Sequence, residues 1–537
     1  MQIRATSSDK LNLDLIKNIS DKHYILENCQ NYLTDESKYK STGVAHIYFP
    51  SKTQDVAQII QQHFQSDCPI TISGGRTGIV GGAVAEEGSL ITTEKLNHFT
   101  GIKWDQKKES WLLRVQPGIT LEELSKSLDH NHFKWLDNNK NLDLETVKTF
   151  EKESHLWFYP PDPTEKLATI GGTVATNASG SRSYLYGPTR RHITALEVVL
   201  CNGSIIHMQR GEYVLSKTNK HFVIQSDSCK FSIPVPGHQY PKLKCSAGYF
   251  SSIPMDLIDY FIGSEGTLGI ITEIEIKLKR KPEMELGCIA FFDSNKNAID
   301  FVDKLNAIQK KNLSGSVSVI EYFDYNSLNL LKDDYGRLIP ENAQCALFFE
   351  LQTSKTKFEQ DLNSIDNLLT MHHALVENTW AATDKKELNQ MTSFRHALPE
   401  KVNTLIAQNQ RKLLELKKIS TDFVVSKENF RKLFEIYLDE MKKTNLSFVL
   451  FGHIGEYHLH LNMIPKNLDE LYVAKKIYMK CANQVIELNG TMSGEHGIGK
   501  LKKHLLPMMY SPDVIVEMKK IKTAFDPKGI LGKNTLF

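Results

Sequence analysis

Apolar and polar positions along the chain follow two rhythms, and their arrangement changes near Pro282. AHIYFP, from Ala45, has the short apolar run of a strand. The next stretch, SKTQDVAQIIQQHFQ, places Val56, Ile59, Ile60 and Phe64 at helical spacing behind Ser51 as N-cap. PITISGG, from Pro69, reads as a buried strand running into a glycine loop. WLLRVQPGITLEELSKSL reads as strand, turn and helix, with Thr120 and Glu123 forming a capping box. HITALEVVLCNGSIIHM alternates on both sides of Asn202–Gly203, the dipeptide of a tight hairpin. FIGSEGTLGIITEIEIKLKRKP predicts two strands around Gly266–Thr267.

Beyond Pro282 the elements lengthen. IAFFDS, SVSVIEYFD and CALFFELQ read as strands, and NAIDFVDKLNAIQ and KFEQDLNSIDNLLTMH as helices. A β–α–β–β–α–β order predicts a ferredoxin-like antiparallel sheet with helices on one face. Polar stretches punctuate the rest. Residues 1–40, amphipathic around Leu11–Ile19, predict an N-terminal helical extension. Asp129–Glu153 and residues 208–243 read as insertions. The division expected is an extension (1–40), a first domain (41–283) and a second domain (284–537).

Three glycine-rich runs break the apolar pattern: Pro69–Gly82, Tyr159–Arg191 and Phe261–Ile271. The middle one interleaves Gly171, Gly172, Gly180 and Gly187 with threonines, serines and Asn177, and has few bulky side chains. Such a run cannot fill a core by itself. It suits a backbone that closely approaches a ligand and offers N–H groups to an anion such as a pyrophosphate.

A second constellation lies in SFVLFGHIGEYHLHLNM, from Ser447. Two alternating strands join near Gly455, His453 ends the first, and His458, His460 and Asn462 share one face of the second. Across the hairpin His453 can approach either His458 or His460. SGEHGIGK then supplies Glu495 and His496. So many histidines close together point to metal binding or catalysis.

Composition narrows the function classes. With 537 residues the chain has room for two or three cores, and a net charge of +2 spread evenly gives no footprint for nucleic acid. No apolar run is long enough to span a bilayer, and the N-terminus lacks the apolar region of a secretory signal. The eight cysteines form no C-x-x-C pair, which argues against a zinc ribbon or an iron–sulfur cluster. Free thiols in a cytoplasmic protein are expected.

The three glycine segments, followed by the histidine motifs, resemble the FAD-linked D-2-hydroxyacid dehydrogenases of the vanillyl-alcohol oxidase superfamily, from about Val44 onward. The resemblance implies an α+β fold: a two-subdomain FAD-binding domain of the PCMH type, and a ferredoxin-like substrate or cap domain. It implies that Gly74, Gly75, Arg76, Thr77 and Gly78 wrap the FAD pyrophosphate. Pro161, Asp162, Thr169, Gly171 and Gly172 would lie along the cofactor. Asn177, Ser179, Gly180 and Ser181 would meet its ring and diphosphate. Tyr186 and Gly187 match a Tyr-Gly pair, and Glu265, with Gly266 and Ile271 beside it, matches an acidic partner of FAD. Many relatives carry a flavin-bonding histidine where Arg76 stands, so noncovalent FAD is implied, with the guanidinium near a phosphate.

The pattern G-H-x-G-D-G-N-x-H-x-N, followed by S-G-E-H-G, implies His453, His460 and Glu495 as ligands of zinc or manganese. His496 becomes the base, and Asn462, Arg395 and Lys418 become substrate-binding groups. Here Glu456, Tyr457 and His458 replace the pattern's Asp, Gly and Asn, so His458 could compete for the metal. The tail carries Gly532, Lys533 and Asn534 where Asn-Pro-Gly is usual, and Asn534 stands in for the asparagine near the flavin.

The implied reaction oxidises a small D-2-hydroxy acid and passes electrons to a quinone, a cytochrome or an electron-transfer flavoprotein. A homodimer and peripheral contact with the inner membrane are compatible with it. Two other readings fit the same residues: a metal-free flavoprotein oxidase of another alcohol, and a non-catalytic flavin-binding partner subunit.

Overall fold

The computed structural model describes residues 16–136, 143–215, 221–225, 230–309 and 315–537. Among the described residues, its first half holds three two-stranded sheets and two larger ones. One orders the strands Asn18–Ile19, His46–Tyr48, Ser89–Thr92 and Ile70–Ser73, the last three mutually parallel. The other is antiparallel, in the order Phe99–Asp105, Ser110–Val115, Ile270–Lys277, Ile193–Val199 and Ile205–Gln209. Short-range signals translate directly. Thr120 and Glu123 form the capping box on the helix Leu121–His130, and Val199 pairs with Ile205 across the Asn202–Gly203 turn.

Three local expectations are corrected. The N-terminal amphipathic stretch lies mostly outside the described residues. Its end, Asn18–Ile19, is a strand paired to Tyr48 and Ile47, and the helix comes later, at Lys22–Asn28. This described part of the extension is therefore an edge of the first sheet. The helix Thr53–Ser66 is capped at Lys52, while Ser51 bonds to Asp55 instead. Before Gly266 stands the short helix Ile258–Phe261, because buried Tyr260 and Phe261 pack into the core from a helical turn; only Ile270–Lys277 is a strand. The 129–153 insertion ends in a helix, Leu144–Glu153, that buries Val147 and Phe150.

The second half is built on a seven-stranded antiparallel sheet. Its order is Trp380–Ala382, Met284–Phe292, Cys345–Thr353, Ser316–Asp324, Ser447–Gly452, His460–Ile464 and Ile419–Ser420. Helices cover both faces rather than one. Asn295–Gln309, Phe358–Met371, Lys427–Lys442 and Leu468–Glu487 share a core with Ile320 and Tyr322. Tyr325–Tyr335 and Lys385–Gln410 pack with Val319 and Phe323 on the other side. The cause is visible in SVSVIEYFD, which is apolar at both strand parities and so is buried on both faces.

The C-terminal tail returns to the first half. Ile70 N–H donates to the Ile530 carbonyl, Gly532 N–H donates to the Ile70 carbonyl, and Leu536 N–H donates to the Gly499 carbonyl. Half-buried Lys522 ties this return to the Thr267 and Leu531 carbonyls. Among the described residues no helix is long and apolar enough to cross a membrane.

Candidate active site

A cavity of about 390 Å³ opens between the two halves. The first glycine loop, Gly74–Gly78, forms one wall, and Thr169, Gly171, Gly172, Ser179 and Gly180 form another. A Cβ on Gly74 would lie 2.6 Å from Thr169 Oγ1, and one on Gly75 would lie 2.6 Å from the Leu167 carbonyl. These glycines let two loops close on each other around a space that protein side chains leave open. That is the cradle a dinucleotide needs, and the FAD expectation fits it.

Other predicted cofactor residues are placed differently. Gly266, Ile271 and Glu265 border the cavity, but both Glu265 oxygens already accept N–H bonds, from Ile498 and Gly499. Burial raises the Glu265 carboxyl to about 7, against the pull of those two N–H groups. Arg76 also borders the cavity. It stacks 4.7 Å from the Tyr32 ring and donates to the carbonyl of Gly74.

Seven residues do not border the cavity: Pro161, Asp162, Asn177, Ser181, Tyr186, Gly187 and Asn534. Most of them shape the loops around it. Asn177 caps the helix Ile170–Thr176 and accepts from Arg190 N–H. The Asp162 carbonyl crowds Gly180, Ser181 bonds to Asp162, and Tyr186 donates to Gln352. Gly187 has φ +77°, and a Cβ there would meet Arg191. Asn534 donates to Glu86 rather than facing the cavity.

The second half contributes the polar floor. Arg395, Lys418, His453, His460, Asn462, Glu495 and His496 all border the same cavity. Arg395 is buried on the helix Lys385–Gln410, 3.9 Å from Glu321, so it is no surface arginine. Pro399 lies one turn on and has no N–H to give the Arg395 carbonyl. Lys418 donates to Asn403 at 2.9 Å. Asn462 is buried, and its Oδ1 has no hydrogen-bond partner.

His453 follows the strand Ser447–Gly452, and His460 opens the strand His460–Ile464. Their Nε2 atoms each lie 3.2 Å from Glu495 Oε1. The other nitrogens are held from behind: His453 Nδ1 by Glu321 at 2.6 Å, and His460 Nδ1 by the Thr421 carbonyl at 3.0 Å. A carbonyl only accepts, so His460 donates from Nδ1, and a neutral ring then turns its Nε2 lone pair toward a carboxylate oxygen. A cation relieves that opposition, and two imidazoles with one carboxylate form a donor set for a divalent ion. Burial would lower His453, but Glu321 and Glu495 raise it to about 9. Burial would raise Glu321, yet His453 and Arg395 bring it down to about 2.

His458 precedes the strand and is fully buried, 3.1 Å from Asp422 Oδ1, with neither ring nitrogen hydrogen-bonded. Burial lowers it to about 3, so the ring is neutral. His496 Nδ1 lies 3.1 Å from Asp422 Oδ2, and its Nε2 lies 3.7 Å from Glu495.

Three further residues organise the site and escape prediction from sequence. Glu321 braces both His453 and Arg395. Asp422 accepts from Ser493, Lys502 and the His496 N–H. Lys244 reaches Glu495 Oε2 and Glu456 Oε2, each at 3.0 Å. Only Glu321 carries a local signal, as an acid set between apolar residues inside a buried strand.

Comparison with known proteins agrees with this geometry. Residues 44–147 and 145–209 match the FAD binding domain family, and residues 281–534 match the family described as FAD linked oxidases, C-terminal domain. A glycolate oxidase subunit GlcD of Bacillus subtilis is 28% identical, over 91% of this chain and 88% of its own length. A D-lactate dehydrogenase of Anaerostipes hadrus is 27% identical, over 90% and 87%. A D-2-hydroxyglutarate dehydrogenase of Stutzerimonas stutzeri is 24% identical, over 99% of both chains. Among solved structures, an alkyldihydroxyacetonephosphate synthase shares the fold at a TM-score of 0.60 and 14% identity, covering 96% of this chain and 81% of the other. The glycine-walled cavity and these matches lead to one conclusion: the chain belongs to the FAD-linked oxidases and is an FAD-binding oxidoreductase.

Proposed function

We propose that this protein oxidises a small D-2-hydroxy acid to the 2-oxo acid, using noncovalent FAD and a divalent ion held by His453, His460 and Glu495. The observation that carries the reading is the convergence of both histidine Nε2 atoms on Glu495 Oε1, in a cavity that Arg395 also borders. Bound FAD supplies the two-electron acceptor for the α-hydrogen, and the divalent ion supplies polarising charge at the substrate hydroxyl.

The chain's own residues bind, orient and take the proton. Arg395 pairs with the substrate carboxylate through a two-pronged contact, and Lys418 adds a second positive charge. Asn462 offers the substrate its unpartnered Oδ1. Asp422 holds His496 at Nδ1, which leaves Nε2 to receive the hydroxyl proton. The product is the 2-oxo acid, and the electrons leave to a quinone, a cytochrome or an electron-transfer flavoprotein. One curated relative is named a D-lactate dehydrogenase [cytochrome], of Saccharomyces cerevisiae.

Anaerobic mixing of metal-replete protein with D-lactate, D-2-hydroxyglutarate and glycolate tests this reading. At least one of them should bleach the flavin absorbance. No bleaching by any of the three would reject it.

A further inference from the structure

We propose that His458 is a third imidazole ligand of the divalent ion, so that three histidines and one carboxylate hold the centre. The inference rests on the metal reading above and adds a residue to it, at a position where the resembling pattern carries asparagine.

The first observation is an unmet requirement. His458 is wholly enclosed, and neither ring nitrogen has a hydrogen-bond partner. Asp422 Oδ1 stands 3.1 Å from Nε2, while Nδ1 is without any partner; Ser493 and Lys502 engage the other oxygen of Asp422, Oδ2. Buried polar atoms normally find a partner, so an unmatched imidazole beside a donor set points to something bound there.

The second observation is position. A nitrogen from each of His453, His458 and His460 and a carboxylate oxygen of Glu495 all lie within 4.8 Å of one another. Imidazoles bound about 2.1 Å from one ion, at angles of about 90–120°, have centroids about 4.5–5.6 Å apart. The three rings stand 4.5 Å (His458–His460), 5.5 Å (His453–His458) and 5.7 Å (His453–His460) apart.

The third observation is fixity. A Cβ on Gly494 would lie 2.8 Å from His458 Cε1, so the ring fits its slot because that position is glycine. The His458 N–H is tied to the His453 carbonyl, which anchors one imidazole to the residue bearing another.

This ligand set bears on the coordination number of the ion. Four protein donors complete a tetrahedral zinc and leave no position for substrate. With four protein donors, the ion must take five or six ligands for the substrate to bind to it.

X-ray absorption on the manganese-loaded, FAD-containing protein counts the imidazoles directly, in the wild type and in H458N. We expect three in the wild type and two in H458N, with retention of manganese against EDTA falling about tenfold or more. Two imidazoles in the wild type, or an unchanged count and retention in H458N, would overturn the third ligand and leave the metal reading intact. A wild type that takes up neither manganese nor zinc would remove both.

Discussion

Lys244 Nζ lies 3.0 Å from Glu495 Oε2, so the first half of the chain supplies the cation that braces a carboxylate of the second. The same ammonium is 3.0 Å from Glu456 and almost fully enclosed. Replacing it with methionine leaves the largely enclosed Glu495 and Glu456 carboxylates without the cation they share. K244M should cost the metal-free protein about 3–5 kcal/mol, and K244M/E456Q should recover part of that. Urea unfolding with and without manganese checks this; the ion should restore more stability to K244M than to the wild type.

His496 is held at one nitrogen by a carboxylate that is itself fully engaged. H496N should reduce turnover by about 10²–10⁴-fold, the usual contribution of a positioned base. FAD content and unfolding midpoint should stay at wild-type values. Stopped-flow flavin bleaching beside a retained-flavin assay separates loss of the base from loss of the cofactor.

A methyl group on Gly78 would meet no protein atom within 4 Å, although Gly78 borders the cavity. G78A should therefore leave the flavin-free protein within about 0.5 kcal/mol of wild type. Its FAD dissociation constant should rise about tenfold or more, because the methyl enters cofactor space. G75A, whose Cβ would strike the Leu167 carbonyl, should damage both. Flavin titration and thermal unfolding of the two variants distinguish these outcomes.

His192 is buried at the start of the strand Ile193–Val199, with Nε2 donating to the Tyr186 carbonyl and Nδ1 unpartnered. Burial lowers it to about 4, against the pull of that carbonyl. The unfolded chain therefore takes up this proton first, so the neutral ring's contribution is intact above about pH 6.5 and is lost as pH falls toward 4. The loss approaches about 3 kcal/mol. H192Q keeps an N–H donor and removes the titration, so its denaturation midpoint should fall less than the wild type's between pH 7 and pH 4.5.

Features encoded within a few residues were legible in the sequence. Thr120 with Glu123 and the Asn202–Gly203 turn are examples, because both partners stand side by side in the chain. The meeting of His453, His460 and Glu495 was legible through motif resemblance, not through local geometry. Distant partners left no local trace. Arg76 stacks on Tyr32 of the N-terminal segment, a partner that nothing around Arg76 in the sequence announces. Lys244 lies just past a stretch read as an insertion, and only the packing of the two halves brings it under Glu495. The helices on both faces of the large sheet were hidden differently. Val319 and Phe323 sit at one parity and Ile320 and Tyr322 at the other, and a two-faced strand reads as a plain apolar run.

The return of residues 530–536 to Ile70 and Gly499 has a consequence for biosynthesis. A strand made early and a tail made late form one ladder beside the cofactor loops. That closing edge is therefore in place only once residues 530–536 have been made, and a nascent chain stalled before Ile530 holds its glycine loops without it.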